Sequence, residues 1–408
     1  MPTARSPIHS TSNPPGFSLT KIADGLAHPR QIAIDRRGQL IVASLGDGLV
    51  GLKATYDSNG CPSVTSEKVI VPDEGFNFTH SVLFSSNYKT LYASTPDVAL
   101  SWAYDSRLFK VKGPAKVLVK GMALKNPLAV TRAMAVPKRY PHLLMVFRSR
   151  GSIIKIFDLN KVPDGGYDYV RDGTVFAYGV RDAVDFTEDR YQNFWNVDNG
   201  ADVITRYGQP IGFDNPADEV NFLGPIPAEK EYTKPHNYGF PACHAVWNSS
   251  ALAKNTLNLQ VGQSFTIYPE IFTDQQCETE TVQPRLSIFP HSAPLGIRFY
   301  NPRRPNLGVE FFDSAFITYH GPTGHRIGNV PFNRRTVPAP PTTEQGTVDF
   351  IWTDPSIDLS KCKSEINLGP TAIECLSPVG LAFDEDGRMY FTSDQTGEVF
   401  VATKDKGS

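Results

Sequence analysis

The sequence predicts an all-β chain that folds as a six-bladed β-propeller. Residues 29–52 align without a gap with residues 378–401, so that Asp35 meets Asp384. Each copy reads as an apolar strand, an Asp-x-x-Gly turn, a second strand, a Gly-containing turn and a third strand, which is the antiparallel pattern of one blade. Weaker copies lie between them and start at Thr79, Val130, Val180 and Ser292. With the two end copies, these units predict six blades.

The spacing of the units predicts the domain organisation. The first four recur about every 50 residues, the length expected of a four-stranded blade with its loops. The interval from the fourth to the fifth is about twice as long, which predicts an insertion at about 200–290 on one face. Residues 1–18 are polar and Pro-rich, so we expect them to be disordered. We expect a single propeller domain over residues 19–408, because propellers of this length form one domain.

Composition agrees with an all-β domain. The chain has 408 residues with 32 Gly and 33 Pro, which suits many short strands joined by turns. Its 40 basic and 42 acidic residues give a net charge of −2, so the charge does not favour nucleic acid or an anionic membrane as a partner. The longest apolar runs, such as residues 143–147, are the size of strands, and no membrane-spanning segment is predicted.

Cysteines and glycosylation sequons favour the secretory pathway. Local disulfides are expected for the pairs Cys243–Cys277 and Cys362–Cys375, which would staple the insertion and the last loop between blades. Cys61 is left over. Sequons for N-glycosylation begin at Asn77 and Asn248. No signal peptide is recognised in the polar first residues, so a leader would have been removed.

Residues that begin the innermost strand of each blade line the mouth of the central channel, and here they are cationic or polar. These positions hold Arg30, His80, Arg132, Arg181, His291 and Ser377. His320 follows a strand of the fifth unit and could point to the same place. Like charges that converge on one axis repel each other unless an anionic or electron-rich group binds there. The alternative is that each arginine pairs with a nearby acid, such as Asp182, Asp198 or Asp202, and is structural.

One turn could hold calcium. Residues 199–202 follow the strand that contains Trp195, and the backbone carbonyls of Gly200 and Ala201 are candidate oxygen ligands with acids nearby. The same residues also fit an ordinary Asn-Gly turn. Trp195 and Tyr319 could stack on a planar ligand, although aromatic residues of propellers more often belong to the core.

Several of these stretches resemble the fungal pyrroloquinoline-quinone-dependent pyranose dehydrogenases, within the wider glucose/sorbosone dehydrogenase superfamily. The resemblance spans nearly all of residues 20–403 and includes HPRQI, KTLYAS, SRGS, VDNG, NPADEVNFLG, NYGFPAC, HSAPLGIRF and SPVGLAFDEDGRMYFTSD. It implies a propeller with a quinone on the axis, arginines on the quinone carboxylates and a calcium ion on turn carbonyls. Arg30, Arg132, Arg181 and the turn at 199–201 match those anchors.

Other anchors of that family are missing. Its His-x-Thr-Arg motif ends in Arg132 but begins with Ala129, so the histidine that resembles a general base is absent. Asp182 replaces an asparagine, Ser377 replaces an arginine, and a further arginine is lost after His320. Each lost charge-assisted hydrogen bond is worth about 1.5–3 kcal/mol. The replacements therefore predict a pocket that has lost its quinone and needs no cofactor.

This interpretation favours a cofactor-independent enzyme of fungal secondary metabolism. Its catalytic residues would be Arg132, Arg181 and His320, and its substrate a bulky, partly apolar small molecule. The substrate would contact Arg30, His80, Trp195, His291, Tyr319 and Ser377. The chain is similar in fold to fungal hetero-Diels–Alderases, which form a quinone methide by dehydration and hold both partners for cycloaddition. Holding the two reactants close together, with a cation beside the developing oxyanion, would suit that reaction.

Two alternatives stay open at this point. One is a quinone- and calcium-dependent sugar dehydrogenase in which the base has moved to His80 or His320. The other is a non-enzymatic propeller that binds a glycan or a protein.

Overall fold

The structure is a computed structural model, and the described part of the chain comprises residues 11–57, 62–125, 130–149, 151–227, 234–333, 337–338, 347–354, 356–362, 373 and 375–405. Three features singled out above, Cys61, Ala129 and residues 1–10, lie outside this part. Within it, the regular structure is almost entirely β-strand.

The strands are short and follow one another closely. The first ten are β1 (Thr11–Ser12), β2 (Phe17–Ala23), β3 (Pro29–Ile34), β4 (Leu40–Ser44), β5 (Gly48–Tyr56), β6 (Pro62–Pro72), β7 (Val82–Phe84), β8 (Thr90–Ser94), β9 (Ala99–Asp105) and β10 (Lys110–Lys120). The next ten are β11 (Met134–Ala135), β12 (Leu143–Phe147), β13 (Ile153–Asp158), β14 (Tyr167–Asp168), β15 (Thr174–Tyr178), β16 (Asp185–Glu188), β17 (Asn193–Asp198), β18 (Thr205–Arg206), β19 (Gln209–Pro210) and β20 (Asp218–Pro225).

The remaining strands are β21 (His236–Asn237), β22 (Cys243–Ala245), β23 (Ser264–Thr266), β24 (Leu286–Ile288), β25 (Pro294–Phe299), β26 (Ala315–Tyr319), β27 (Arg326–Val330), β28 (Phe332–Asn333), β29 (Val337–Pro338), β30 (Val348–Thr353), β31 (Pro378–Phe383), β32 (Met389–Ser393) and β33 (Glu398–Lys404). The described residues also contain a short helix, α1 (Asp274–Glu280), and 3-10 turns at Leu159–Lys161, Ser249–Ala251, Val309–Phe311 and Leu359–Lys361.

Six antiparallel sheets surround one axis, which confirms the predicted six-bladed propeller. From the axis outward the blades are β3-β4-β5-β6, β7-β8-β9-β10, β11-β12-β13-β15, β16-β17-β20-β24, β25-β26-β27-β30 and β31-β32-β33-β2. The innermost strands contact one another in ring order, and β3 of the first blade packs against β31 of the last. Three further strands, β14, β21 and β1, extend the outer edges of the second, third and fifth blades.

The ring is closed by a strand from near the start of the chain. β2 pairs antiparallel with β33, with Thr20 opposite Val401, and so becomes the outermost strand of the sixth blade. β1 pairs with β30 of the fifth blade. Strand pairing therefore begins at Thr11, before the expected boundary at residue 18. The predicted division into a leading segment and one propeller domain stays a prediction.

The extra chain expected at about 200–290 is divided between two loops of the fourth blade. β20 and β24 both fall inside that range and supply the third and fourth strands of the blade. The additional residues therefore form two separate stretches, 199–217 and 226–285. The sequence did not indicate this division because neither strand carries the turn pattern of the repeat.

Both predicted disulfides are present. Cys277 on α1 is bonded to Cys243 on β22, so the bridge ties the helix to the small β22–β23 hairpin. Cys362 is bonded to Cys375 ahead of the sixth blade. The helix begins at a capping box in which Thr273 and Gln276 satisfy each other's backbone amides.

Apolar side chains from adjacent sheets interdigitate between the blades. Between the fourth and fifth blades, for example, Trp195, Ile288 and Ile317 are fully buried in one cluster. Such packing makes the ring rigid, because close-packed interiors resist displacement. The residues at the ends of the inner strands are thus held in fixed positions around the axis. Among the described residues, no helix has the length and apolar character needed to cross a bilayer.

Candidate active site

The mouth of the central channel is built from two sets of positions. The innermost strands of a propeller run in the same direction, so their first residues meet at one face. The second strand of each blade runs back and ends at that face. The residues that directly follow β12, β17, β26 and β32 are Arg148, Asn199, His320 and Asp394. They join the arginines and histidines that precede or begin the inner strands.

A buried carboxylate links two of the predicted residues. Arg30 Nη1 donates to Asp394 Oδ2 at 2.7 Å, and His320 Nε2 lies 2.8 Å from Asp394 Oδ1. Arg30 Nε also donates to the carbonyl oxygen of Thr79 at 3.3 Å. The carboxylate side chain is only 11% exposed, so these contacts are shielded from water. Blades one, five and six thus meet in one Arg–Asp–His cluster.

The cluster fixes the protonation of Asp394. Burial alone would raise the pKa of Asp394, but His320 and Arg30 outweigh burial and hold that pKa well below its usual range. Asp394 is therefore an anion at neutral pH. A neutral His320 that donates its Nε2 proton to this anion keeps a lone pair on Nδ1, which makes Nδ1 a proton acceptor.

His80 lies deeper in the same region. It is fully buried, and neither of its ring nitrogens has a hydrogen-bond partner within the described part of the chain. Burial lowers its pKa well below the usual value, and the nearby cations Arg30 and Arg298 lower it further. The imidazole is therefore neutral. Unpaired polar atoms in such a position are costly unless a bound group completes them.

A polar layer joins four blades beneath the mouth. Arg298 Nη1 donates to Asp185 Oδ2 in a short contact, and Gln31 Nε2 donates to the same oxygen at 3.2 Å. The side-chain oxygen Oε1 of Gln31 accepts from the backbone amide of Leu381 at 3.3 Å, so the layer joins blades one, four, five and six. Below it, the C-terminal ends of all six inner strands line a separate cavity of about 590 Å³. The mouth and this cavity are distinct spaces.

Arg181 lies on the turn that was expected to bind calcium. Its Nη1 donates to the carbonyl oxygens of Asn199 at 3.0 Å and Gly200 at 2.5 Å. Its Nη2 lies 3.3 Å from Asp202 Oδ2. A side chain at Gly200 would place its Cβ 2.7 Å from the carbonyl oxygen of Ala217, so only glycine allows this close approach of backbone segments. The turn is thus capped by a guanidinium.

Buried acids surround that turn. Burial raises the pKa of Asp218 to about 7, although its carboxylate accepts from the amides of Gly200 and Ala293. Burial also raises the pKa values of Asp198 and Glu219, which face each other on β17 and β20 and repel as anions. Burial thus brings the pKa values of these acids close to neutral pH, and backbone amides hold their carboxyl groups.

Arg132 is more deeply placed than the sequence suggested. Its guanidinium is fully buried and donates to the carbonyl oxygens of Thr131 at 2.7 Å and Met122 at 2.8 Å. Burial lowers its pKa to about 10, and the neighbouring Arg148 contributes. Arg148 lies over the ring of Tyr169 at 4.9 Å, and its buried Nε lacks a partner among the described residues. Arg148 is the more available cation on this side of the mouth.

Three predicted substrate contacts are corrected by the structure. Trp195 is fully buried between blades four and five and donates from Nε1 to Asp189 at 3.0 Å. Tyr319 is 1% exposed in the same cluster. Ser377 is buried, and its hydroxyl donates to the backbone carbonyl oxygen of Cys375. The alternation of β-strand side chains places Trp195 and Tyr319 away from the mouth, because each sheet buries one face against the next blade. Ser377 precedes β31 and is buried in the loop that leads to it.

His291 faces the first of the two extra stretches instead of the axis. Its Nε2 lies 3.0 Å from the carbonyl oxygen of Gly212, and its Nδ1 lies 3.4 Å from Asp202 Oδ1. The hydrogen bond that His291 donates to the Asp202 carboxylate raises the pKa of His291. Of the two sequons, Asn77 is exposed, whereas the Asn248 side chain caps a 3-10 turn by accepting from two backbone amides. Asn77 is the better placed glycan acceptor.

Sequence reasoning missed Asp394, although a signal was present. The repeat alignment that pairs Ser44 with Ser393 places Asp394 opposite Leu45. Asp394 is thus a charged residue at the channel end of a strand, where the first repeat unit has an apolar residue. Such a difference between repeat units indicates a role in the site. Arg148 and Arg298 were missed for a different reason, since they lie outside the first positions of the inner strands. Asp185 begins β16 and was missed because the entry of that blade was assigned to Arg181.

Comparisons with known proteins agree with one another. The TrAA12-like family matches residues 11–405. The chain is 31% identical over 406 residues to a pyrroloquinoline quinone-dependent sugar dehydrogenase of Hypocrea jecorina, which covers 95% of this chain and 87% of that protein. It is 30% identical to a pyrroloquinoline quinone-dependent pyranose dehydrogenase of Coprinopsis cinerea; the match covers 100% of this chain but only 56% of that protein. The chain thus spans little more than half the length of this second relative.

A solved structure gives the same result in three dimensions. The holo form of the PQQ domain of Coprinopsis cinerea pyranose dehydrogenase superimposes on this chain with a TM-score of 0.85 at 28% sequence identity. The superposition covers 98% of this chain and 99% of that domain.

These relatives overturn the expectation of a cofactor-independent hetero-Diels–Alderase. Both curated relatives are dehydrogenases that depend on the quinone. The replacements that suggested loss of the quinone also weigh less in three dimensions. The Ser149 hydroxyl donates to the Asp182 carboxylate at 2.5 Å, and the neighbouring Arg148 guanidinium lies over the Tyr169 ring. The comparison of motifs did not show these contacts, because the residues that make them lie on other strands.

Proposed function

The chain belongs to the TrAA12-like family, and from this premise we propose that it is a pyrroloquinoline-quinone-dependent dehydrogenase that oxidises a hydroxyl group of a small sugar. The observation that carries the proposal is the Asp394–His320 pair at the axial mouth, with 2.8 Å between its nitrogen and oxygen. A histidine oriented by a buried carboxylate is the arrangement that removes a proton from a substrate hydroxyl.

The residues at the mouth fit an anionic planar quinone. Cations converge there from several blades, with Arg30, Arg148 and Arg181 as the members that are not fully buried. The two unpaired ring nitrogens of His80 and the unpaired Nε of Arg148 are polar atoms that a ligand with carbonyl and carboxylate groups would satisfy. We propose that these four residues hold the cofactor. When bound, the quinone would accept the two electrons released by the alcohol.

The chain's own residues would handle the proton. His320 Nδ1 would accept the proton of the substrate hydroxyl, and the resulting imidazolium would be stabilised by the Asp394 anion. Arg30 holds the other carboxylate oxygen and so fixes the orientation of Asp394. This assignment places the relocated base at His320 rather than His80, because the pKa of His80 is lowered and its ring has no acid to orient it.

We also propose that the protein works outside the cytosol. Two disulfides lie in the described part of the chain, and the exposed Asn77 offers a glycan site. Disulfides persist in oxidising compartments and are rare in the cytosol.

The test is reconstitution of the protein with pyrroloquinoline quinone, followed by sugar-dependent dye reduction across a panel of pyranoses. His320→Asn should lower the rate by about 10²–10⁴-fold, the usual contribution of a general base. His142→Asn alters an exposed histidine and serves as the control. The proposal fails if the reconstituted protein binds no quinone or reduces no dye with any sugar. The assignment of His320 as the base fails if both variants keep the wild-type rate of dye reduction.

A further inference from the structure

We propose that Val203 and Phe213 form an apolar platform beside the axial mouth that binds a second sugar ring, so that this protein prefers a disaccharide or a longer sugar to a monosaccharide. Both residues belong to the first extra stretch of the fourth blade, 199–217. The inference deepens the proposed function and rests on it, because it names the class of sugar that would reach the mouth.

The side chains of the platform are exposed to an unusual degree for apolar groups. Val203 is 93% exposed and Phe213 is 83% exposed, which makes them the two most exposed large apolar side chains in the described part of the chain. They also lie near each other. A Cβ added at Gly212 would overlap the carbonyl oxygen of Asp202 and lie 3.2 Å from the amide nitrogen of Ile204, so the segments that carry the two side chains touch.

The backbone under the platform is held by a small core of its own. Ile204 and Ile211 pack with Val246 and Phe265 in one buried cluster. The amide of Ile211 donates to the carbonyl oxygen of Ile204 at 3.1 Å, at the base of the hairpin formed by β18 and β19. The platform is therefore formed before a ligand arrives. A preformed surface loses little conformational entropy on binding, which favours affinity.

Three successive contacts connect the platform to the mouth. The ring centroids of Phe213 and His291 are 6.4 Å apart. His291 Nδ1 lies 3.4 Å from Asp202 Oδ1, and Asp202 Oδ2 lies 3.3 Å from Arg181 Nη2. Phe213 is thus separated from the proposed cofactor residue Arg181 by two side chains. A ligand that extends out of the mouth on this side would meet the platform.

The chemistry of this surface suits a pyranose ring. A pyranose presents C–H groups on its faces and hydroxyls at its edge, and C–H groups pack favourably on the negative face of an aromatic ring. Phe213 and Val203 supply the apolar contact. Asp202 supplies acceptor oxygens for the hydroxyls, because its side chain stays 58% exposed and a carboxylate has about four lone-pair sites. A wholly apolar group would use the platform and leave this acceptor unused.

A ring bound on the platform would not take part in the chemistry. Contacts to a part of the substrate remote from the reacting hydroxyl contribute binding energy and help to orient that hydroxyl. A disaccharide should therefore show a higher kcat/KM than glucose. The difference should depend on the aromatic ring of Phe213.

The first experiment measures sugar binding to the protein alone, without quinone, by titration followed by NMR. The probes are glucose, cellobiose, maltose and phenyl glucoside. At least one disaccharide should bind more tightly than glucose, and Phe213→Ala should weaken its binding by about two- to tenfold, the range for loss of one aromatic contact. Phe213→Tyr keeps the ring and should keep the affinity. Tyr191→Ala is the matched control, because Tyr191 is 45% exposed on the turn between β16 and β17, at the other face of the ring of blades.

Several results of this titration would overturn the inference. They are binding of neither disaccharide, equal affinities for glucose and both disaccharides, and equal disaccharide affinities in wild type and Phe213→Ala. A preference for phenyl glucoside over both disaccharides would refute a second sugar ring as the occupant. A Phe213→Ala variant that changes only self-association, measured by sedimentation, and no sugar affinity would identify a protein interface and also overturn it.

The second experiment compares sugars as substrates of the protein reconstituted with quinone. The ratio of the KM for the bound disaccharide to the KM for glucose should rise by about two- to tenfold in Phe213→Ala and stay unchanged in Tyr191→Ala. An unchanged ratio in Phe213→Ala would contradict the role of the platform and leave the proposed function standing. Absence of dye reduction with every sugar refutes the proposed function, and the titration of the protein alone still decides the role of the platform.

Discussion

Replacing Asp394 by asparagine removes the charge that organises the axial mouth. The carboxylate accepts from Arg30 at 2.7 Å and lies 2.8 Å from His320, and it is buried. Each charge-assisted hydrogen bond contributes about 1.5–3 kcal/mol. Loss of one partner from a buried ion pair costs about 3–5 kcal/mol, because the other charge is left uncompensated. Asp394→Asn should therefore lower the free energy of unfolding by about 3–5 kcal/mol.

The effect on stability should depend on pH. The pKa of Asp394 is held below its usual range in the folded state, so the stabilisation by this group is fully present above the unfolded pKa of about 4. It is lost as the pH falls further, because the folded carboxylate must then be protonated. The stability difference between wild type and variant should be largest at neutral pH and shrink below about pH 4. Denaturant titrations at a series of pH values measure this difference.

Activity of the folded Asp394→Asn variant tests whether Asp394 orients the His320 ring, apart from its effect on stability. In a folded Asp394→Asn variant, the base would lose its fixed tautomer, and sugar-dependent dye reduction should fall by about 10²–10⁴-fold. Asp349→Asn is a matched control because that carboxylate also pairs with an arginine, Arg326 at 2.9 Å, but is 54% exposed. The control substitution should lower the free energy of unfolding by less than about 1 kcal/mol and leave the rate of dye reduction unchanged. A variant at Asp394 that keeps wild-type activity would refute the assignment of His320 as an oriented base.

Two further outcomes are expected. Burial raises the pKa of Glu219, so the folded protein keeps a proton that the unfolded chain releases above about pH 4, and the free energy of unfolding should fall as the pH rises from there. The stability of Glu219→Gln relative to the wild type should therefore be greater at pH 8 than at pH 5. Denaturant midpoints that shift equally at both pH values would contradict this. Asn77 should carry a glycan when the protein is made in a fungal secretory host, because its side chain is exposed; intact mass before and after glycosidase treatment, compared with Asn77→Gln, decides the point.

The fold was predictable because propeller blades repeat in sequence. The gapless match of residues 29–52 to residues 378–401 indicated both the blade and the closure of the ring. The division of the long loop was not predictable, since β20 and β24 lack the turn pattern that marked the other units. Their assignment depends on strand pairing that the sequence does not show: β20 pairs with β17, and β24 pairs with β20.

The site was only partly predictable for a related reason. The repeat marks the ends of the strands and so predicts Arg30, Arg181 and His320 at the mouth, which stays a prediction. Trp195 was assigned to the ligand but is buried by the fifth blade, and no pattern within its own strand shows that neighbour. The partner of His320 comes from the sixth blade, so their distance could not be read from spacing along the chain.

The pairing of β2 with β33 also has a consequence for how the chain reaches its native state. Thr20 and Val401 are neighbours in the last sheet, yet almost the whole chain separates them. During synthesis, β2 has no partner until the sixth blade has left the ribosome, while the first blades can form from nearby segments. Contacts between such distant segments are entropically expensive and slow to form. Closure of the ring should therefore be a late step, and the axial mouth, which takes Arg30 from one side of the seam and Asp394 from the other, should become complete only then.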